Sequence, residues 1–246
     1  MSKIKVRDLF LLGVFFALGA CSQSEQPIEV SEPGQSDASS SAATDTPAAA
    51  TAGLQLQALE WRNIGPFNGG RGTTVVGHPT DKMVFYFGHS SGGLWKTEDA
   101  GTIWEQVGAG QFNYASVGAM AISESNPDIM YVGLGEPQLR QSVSWGDGIY
   151  KSVDGGATWE HIGLDDSLHI ARVRIHPHNP DIVYVASMGH AFGPNDQKGV
   201  FRTRDGGESW ERVLFKNEGT GAIDLIMSPD DPNLLFAALW EFERKA

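Results

Sequence analysis

The sequence predicts an all-β chain, a β-propeller of four-stranded antiparallel blades with Asp-containing turns and about three and a half blades present. The first observation is a repeated phrase: GLWKTEDAGTIW from Gly93, GIYKSVDGGATW from Gly148 and GVFRTRDGGESW from Gly199. Registered on the aspartate, Asp99, Asp154 and Asp205 recur at intervals of 55 and 51 residues, the period of about 50 that belongs to propeller blades. The second is that each phrase follows two short apolar runs joined by a Pro/Asn/Asp turn, as in IARVRIHPHNPDIVYVASMG. Two such runs, plus the two flanking the phrase, make four strands per repeat.

The N-terminus comes first in the chain and stands outside this pattern. Lys3, Lys5 and Arg7 precede an apolar run from Leu9 to Leu18, too short for a comfortable transmembrane helix and typical of an export signal. The run ends in Leu18-Gly19-Ala20-Cys21, which resembles the lipobox of bacterial lipoproteins. That resemblance implies cleavage after residue 20, lipidation of Cys21, and membrane attachment through that anchor. Ser22 after the cysteine implies, by the lipoprotein sorting rule, the outer membrane and hence a cell-envelope location. Cys21 is the only cysteine, so the folded part carries no internal disulfide. Residues 21–53, rich in Ser, Ala, Thr, Pro, Glu and Gln, bury too little apolar surface to fold and read as a disordered tether.

Residues 54–246 are the propeller portion, with blades expected at about 73–108, 117–163, 170–215 and 222–246. Each aspartate is read in the frame [ST]-x-D-x-G-x-[TS]-W. The Asp carboxylate closes the turn on backbone N–H groups, Gly101, Gly156 and Gly207 supply backbone angles other residues avoid, and the hydroxyl adds a short partner. Trp104, Trp159 and Trp210 stand at one offset, as expected if each fills the same niche between neighbouring sheets. The fourth copy stops before any such phrase. Because a closed propeller needs about four to eight blades, the expectation is an N-terminal portion of a longer protein, with a short propeller closed by oligomerisation as the alternative.

Composition narrows the function classes. A net charge of −12 repels phosphate backbones and weighs against a nucleic-acid partner. The sequence shows no phosphate-binding glycine loop and no Cys/His metal cluster, and neither metal nor cofactor is expected. His89, His169 and His190 have no partner at ligand spacing and read as structural or surface histidines.

The segments WRNIGPFNGGRG, SSGGLWKTEDAGTIW, VGLGEPQLRQSVSWGDGIYKSVDGGATW and IVYVASMGHAFGPNDQKGVFRTRDGGESW resemble the large bacterial Asp-box (BNR) repeat propellers, a group labelled sortilin N-terminal-like or glycosyl hydrolase. The resemblance implies more blades than are present. It also implies that the Asp boxes are structural, lying at outer turns remote from the ligand.

Ligand-binding groups are expected on loops at one face. Two inserts between second and third strands stand out: Gly135–Asp147, containing Glu136, Arg140, Trp145 and Asp147, and Gly189–Lys198, containing His190, Asn195 and Asp196. Acid, base and aromatic together suit a sugar, and Glu136 and Arg140 lead as ligand contacts; the same Glu–Arg pair can instead be a salt bridge that pins the loop. Arg71, in the run Gly69-Gly70-Arg71-Gly72, is a further ligand candidate, facing the central channel. The reading is a propeller that holds a glycan, peptide or protein, with a glycoside hydrolase completed by further blades as the alternative. Hydrolysis needs two carboxyl groups across the scissile bond, and Glu136, Asp147 and Asp196 are the loop carboxylates available. The xyloglucan-cleaving Asp-box enzymes resemble the chain around GGLWK, but that likeness puts their catalytic Asp where this chain has Ser90. Sialidases use three arginines and a Tyr–Glu nucleophile; Arg71, Arg140 and Arg172 can be cast as such a trio, but no Tyr is placed by motif.

Overall fold

The computed structural model describes residues 71–245. The leader, Cys21, the 21–53 tether and residues 54–70 lie outside the described residues.

Strands β1 (Gly72–Gly77), β2 (Phe85–His89), β3 (Gly93–Thr97) and β4 (Glu105–Val107) form one antiparallel sheet in that order. The same order recurs in β5 (Val117–Ile122), β6 (Met130–Leu134), β7 (Ile149–Ser152) and β8 (Glu160–His161), and again in β9 (Ile170–His176), β10 (Asn179–Ser187), β11 (Gly199–Thr203) and β12 (Glu211–Leu214). A hairpin, β13 (Thr220–Met227) with β14 (Leu235–Glu241), begins a fourth blade. These are the up-and-down blades of a β-propeller. Among the described residues there is no α-helix, and a single 3₁₀ turn spans Asp165–Ser167.

The core lies between blades rather than within them. Val84, Tyr86 and Leu94 of the first blade meet Met120, Val132, Leu134 and Trp159 of the second. Tyr131 and Ile149 of the second meet Val173, Val185 and Phe201 of the third, and Ala186, Met188 and Val200 meet Ala222, Leu225 and Phe242. A strand with a blade on either side is apolar on both faces, which is why all of β6 is buried. In β14, Phe236 and Trp240 are exposed.

One cross-strand pair repeats in every full blade, at sequence separations that differ from blade to blade. Tyr86 opposes Lys96, Tyr131 opposes Lys151 and Tyr184 opposes Arg202, each cation lying 5.6–5.9 Å from the ring centre, within cation–π range. The Tyr86 hydroxyl then donates to the Gly155 carbonyl at 3.3 Å and that of Tyr131 to Pro180 at 3.0 Å, each in the next blade. Burial raises both phenol pKa values.

The acidic turns close as their residue types dictate. In the second, Ser152 Oγ donates to Asp154 Oδ1 (2.8 Å) and accepts from Gly156 N–H (2.9 Å), while Asp154 accepts from the Thr158 amide (2.8 Å) and hydroxyl (2.6 Å). The third repeats this with Thr203, Asp205, Gly207 and Ser209. The first departs from the expected frame: Ile103 stands at the hydroxyl position, so Asp99 takes only its amide there, at 2.8 Å, and the hydroxyl sits one place earlier on Thr102, donating to the Asp99 carbonyl. The carboxyl pKa values follow. Thr158 bonds hold Asp154 at about 2, Ser209 bonds hold Asp205 well below the carboxylate range, and for Asp99 the Ile103 amide leads a lowering.

The tryptophans differ in partner. Trp104 and Trp159 donate to their own turn glycines, Gly101 and Gly156, whereas Trp210 reaches the Ile162 carbonyl of the preceding blade at 2.8 Å. Trp159 joins the first interblade core and Trp210 packs against the second.

Strand alternation assigns the ends. Turns between first and second strands and the acidic turns share one end; second-to-third connections and interblade connections share the other. At that other end the residue before each inner strand is held by one recurrent bond: Ser90 N–H to Arg71, Gly135 to Ser116, Met188 to His169 and Phe242 to Gly219, all at 2.8–3.1 Å.

Candidate functional site

The loop end carries a depression of about 320 Å³ between the first and second blades. Ser90 and Ser91 come from the β2–β3 turn, Tyr114 and Ser116 from the β4–β5 connection, and Ser144 and Trp145 from the β6–β7 insert. Trp145 and Tyr114 are 52% and 44% exposed, large aromatics left in water, while Ser90 and Ser116 are buried. Exposed rings beside several hydroxyls make a surface that can stack on an apolar face and hydrogen-bond its rim. The volume sits at the lower end of the range for small-molecule sites, about 300–1,000 Å³.

Beside it, Glu136 is fully buried. Its partner is not Arg140, as the sequence reading paired it, but Arg71 from the preceding blade: Nε donates to Oε1 and Nη2 to Oε2 at 2.7 Å. A buried carboxylate is stabilised by this kind of forked cation, whereas Arg140, in the same loop, is exposed. Bonding to Glu136 raises the Arg71 pKa. Arg71, expected at the channel, is thus turned to the insert, where Nη2 also donates to the Ser142 carbonyl at 3.0 Å. His89, buried behind the β2–β3 turn, accepts the Ser91 amide at 3.2 Å through Nδ1; burial and then the Arg71 charge lower its pKa.

The remaining candidates are spread. Asp147 Oδ2 accepts from Asn113 (2.7 Å) and the Tyr150 hydroxyl (3.0 Å), leaving Oδ1 buried without a partner; burial pushes the Tyr150 phenol up to about 12. Asp196 is exposed, and its carbonyl holds Arg212. His190 and Asn195 converge instead on Asp166 of the 3₁₀ turn, at 2.7 Å each. That turn is flanked by Leu164 and Leu168, both with positive φ. Next to it His169 is fully buried, and burial, outweighing a contact with the Glu136 backbone, lowers its pKa to about 4. Lys198, also fully buried, lies 4.5 Å from the Phe242 ring centre and has its pKa lowered by desolvation. Arg172 pairs with Asp224 at 2.8 Å on the inner strands, so the three arginines Arg71, Arg140 and Arg172 are engaged separately or exposed rather than forming one clamp. Among the described residues no group of three or more His, Cys, Asp or Glu is placed to hold a metal.

Tyr114 is the aromatic site residue that sequence reasoning missed, as it missed Ser91 and Ser116. It lies in an interblade connection rather than an insert, and its only signal was an aromatic in a polar run, GAGQFNYAS.

No protein-family model matches the chain. A xyloglucanase of Hypocrea jecorina is 28% identical over 193 residues, covering 72% of this chain and 21% of that protein. Among solved structures, an ancestral GH74 enzyme matches with a TM-score of 0.55 and 18% identity, over 70% of this chain and 22% of the other. The GH74 enzyme of Niastella koreensis matches with a TM-score of 0.52 and 20% identity, over 66% of this chain and 24% of the other. The chain therefore spans about a quarter or less of the length of these relatives. At such identities the structural likeness speaks for architecture, and with the sheet order above it establishes that this chain is folded as β-propeller blades.

Proposed function

We propose that the loop end of this propeller holds a glycan, with sugar rings stacked on Trp145 and Tyr114 and sugar hydroxyls bonded by the serines around them. The carrying observation is the pair of exposed aromatics bordering one serine-lined depression. The similarity to a xyloglucanase favours a plant-type polysaccharide such as xyloglucan as the ligand class. The protein acts as an exported, lipid-anchored binder, with Cys21 tethering it to the cell envelope.

Retention without cleavage is preferred to hydrolysis on the residues themselves. Ser90, at the place where the resemblance puts a catalytic Asp, supplies no carboxyl group to the depression. Glu136 is sealed against Arg71, and Asp147 is bonded to Asn113 and Tyr150. The second reading, a glycoside hydrolase completed by additional blades, rests on the xyloglucanase similarity.

Calorimetric titration with xyloglucan oligosaccharides tests the first reading: binding is expected, and Trp145→Ala is expected to weaken it about fivefold or more, since one stacked ring contributes about 1–3 kcal/mol. Equal affinity in Trp145→Ala would refute the site. Release of reducing ends from xyloglucan that is abolished by Glu136→Gln or Asp147→Asn would establish the hydrolase instead.

A further inference from the structure

The β6–β7 insert has no strand or helix of its own from Gly135 to Gly148, yet it supplies Ser144 and Trp145 to the depression. Its conformation must be set by what it is tied to. The ties converge on one pair. Arg71 Nη2 donates both to Glu136 Oε2 and to the Ser142 carbonyl. The Glu136 amide donates to the Ser144 carbonyl at 2.9 Å, and the Ser144 amide faces Glu136 Oε2 at 3.5 Å. Beyond Trp145, the Gly146 amide is fastened at 2.9 Å to the carbonyl of Leu168, in the connection that leads to the third blade. Trp145 thus hangs between two anchors, one of which is an ion pair that spans the first and second blades.

We propose that Arg71 and Glu136 are positioning residues for the ligand site. Their forked pair fixes segment 142–145 and so sets where Trp145 stands over the depression. The inference rests on the reading of that depression as a glycan site. Neither side chain touches the ligand; both act through the backbone of Ser142 and Ser144. The buried Glu136 carboxylate makes the fork obligatory, because an unpaired charge at full burial is not tolerated, whereas replacing both members with apolar side chains commonly is. A lysine at 71 keeps the charge but cannot bond two carboxylate oxygens and a carbonyl in one plane.

The test compares the parent chain with Arg71→Lys and with the double variant Arg71→Met/Glu136→Leu, which leaves no orphaned charge. Three quantities are measured: affinity for xyloglucan oligosaccharides, cooperative thermal unfolding, and acrylamide quenching of Trp145, taken as the difference from the matching Trp145→Phe chain. Cooperative unfolding is expected throughout. The double variant is expected to lose affinity about tenfold or more with altered Trp145 quenching, and Arg71→Lys to fall between it and the parent. A lowered unfolding temperature with unchanged affinity and unchanged quenching would make the pair a stability element only, and overturn the proposal. If the parent binds no xyloglucan oligosaccharide, the glycan reading fails on its own. Quenching then still decides the positioning role, a change supporting it and no change overturning it.

Discussion

Gly221, on β13, packs directly against the Met188 backbone at the end of the third blade's β10. A Cβ at this position would lie 2.6 Å from the Met188 carbonyl oxygen and 2.7 Å from Met188 Cα. Carbon–oxygen contacts close at about 3.3 Å and carbon–carbon contacts at about 3.5–4.0 Å, so Gly221→Ala must open the interface by about 1 Å. Both obstacles are backbone atoms of a paired strand end, and neither can swing aside as a side chain would. The cost belongs at the upper end of overpacking, about 3 kcal/mol, which for a domain of this size lowers the unfolding temperature by about 6–12 °C. Gly110→Ala is the control. It has open space around it and a φ of +75°, so it carries only left-handed strain, about 1 kcal/mol. Differential scanning calorimetry of the two variants reads the difference directly. If Gly221→Ala unfolds at or above the temperature of Gly110→Ala, the close-packed interface described here is wrong.

Two further predictions concern acid and strain. His169, whose pKa falls from 6.5 to about 4 in the fold, takes up its proton first in the unfolded chain; its share of stability is complete above about pH 6.5 and declines as pH falls towards 4. Asp154, held at about 2 against an ordinary 3.8, contributes fully above about pH 4 and loses that contribution as pH falls through 2. Urea titrations should therefore show two acid limbs, the upper flattened by His169→Leu and the lower by Asp154→Asn. In the acidic turns, Ala100 adopts φ 57° where Gly155 and Gly206 occupy the same place. Ala100→Gly should be nearly neutral, relief of about 1 kcal/mol of strain offsetting about 0.5–1 kcal/mol of added chain entropy, and Gly155→Ala, the reverse change at the equivalent place with no closer contact than 3.7 Å, should be nearly neutral in chemical denaturation for the same reason.

The blades were legible because their turns are local. Ser152, Asp154, Gly156 and Thr158 bond one another within seven residues, so the pattern is written in consecutive letters. The Tyr–Lys and Tyr–Arg pairs repeat as faithfully, but each spans a connection whose length varies from blade to blade, which hides the register. The site was half legible. Trp145 was picked out as an aromatic in a long loop and borders the depression, and Glu136 was matched with the arginine nearest in sequence. Its real partner lies 65 residues earlier, because folding apposes the start of one blade to the insert of the next and no local spacing encodes that. Tyr114 and Ser116 reach the same depression from a connection that looks unexceptional alone.

The recurrent amide-to-carbonyl bond ahead of each inner strand has a wider consequence. It fixes main chain alone, so Arg71, Ser116, His169 and Gly219 occupy equivalent seats with nothing chemical in common. Such a seat is a socket into which different side chains can be plugged while the ladder beneath goes on pairing. The same seat therefore lodges a half-buried arginine in one module and a wholly enclosed imidazole in another without disturbing the pairing beneath.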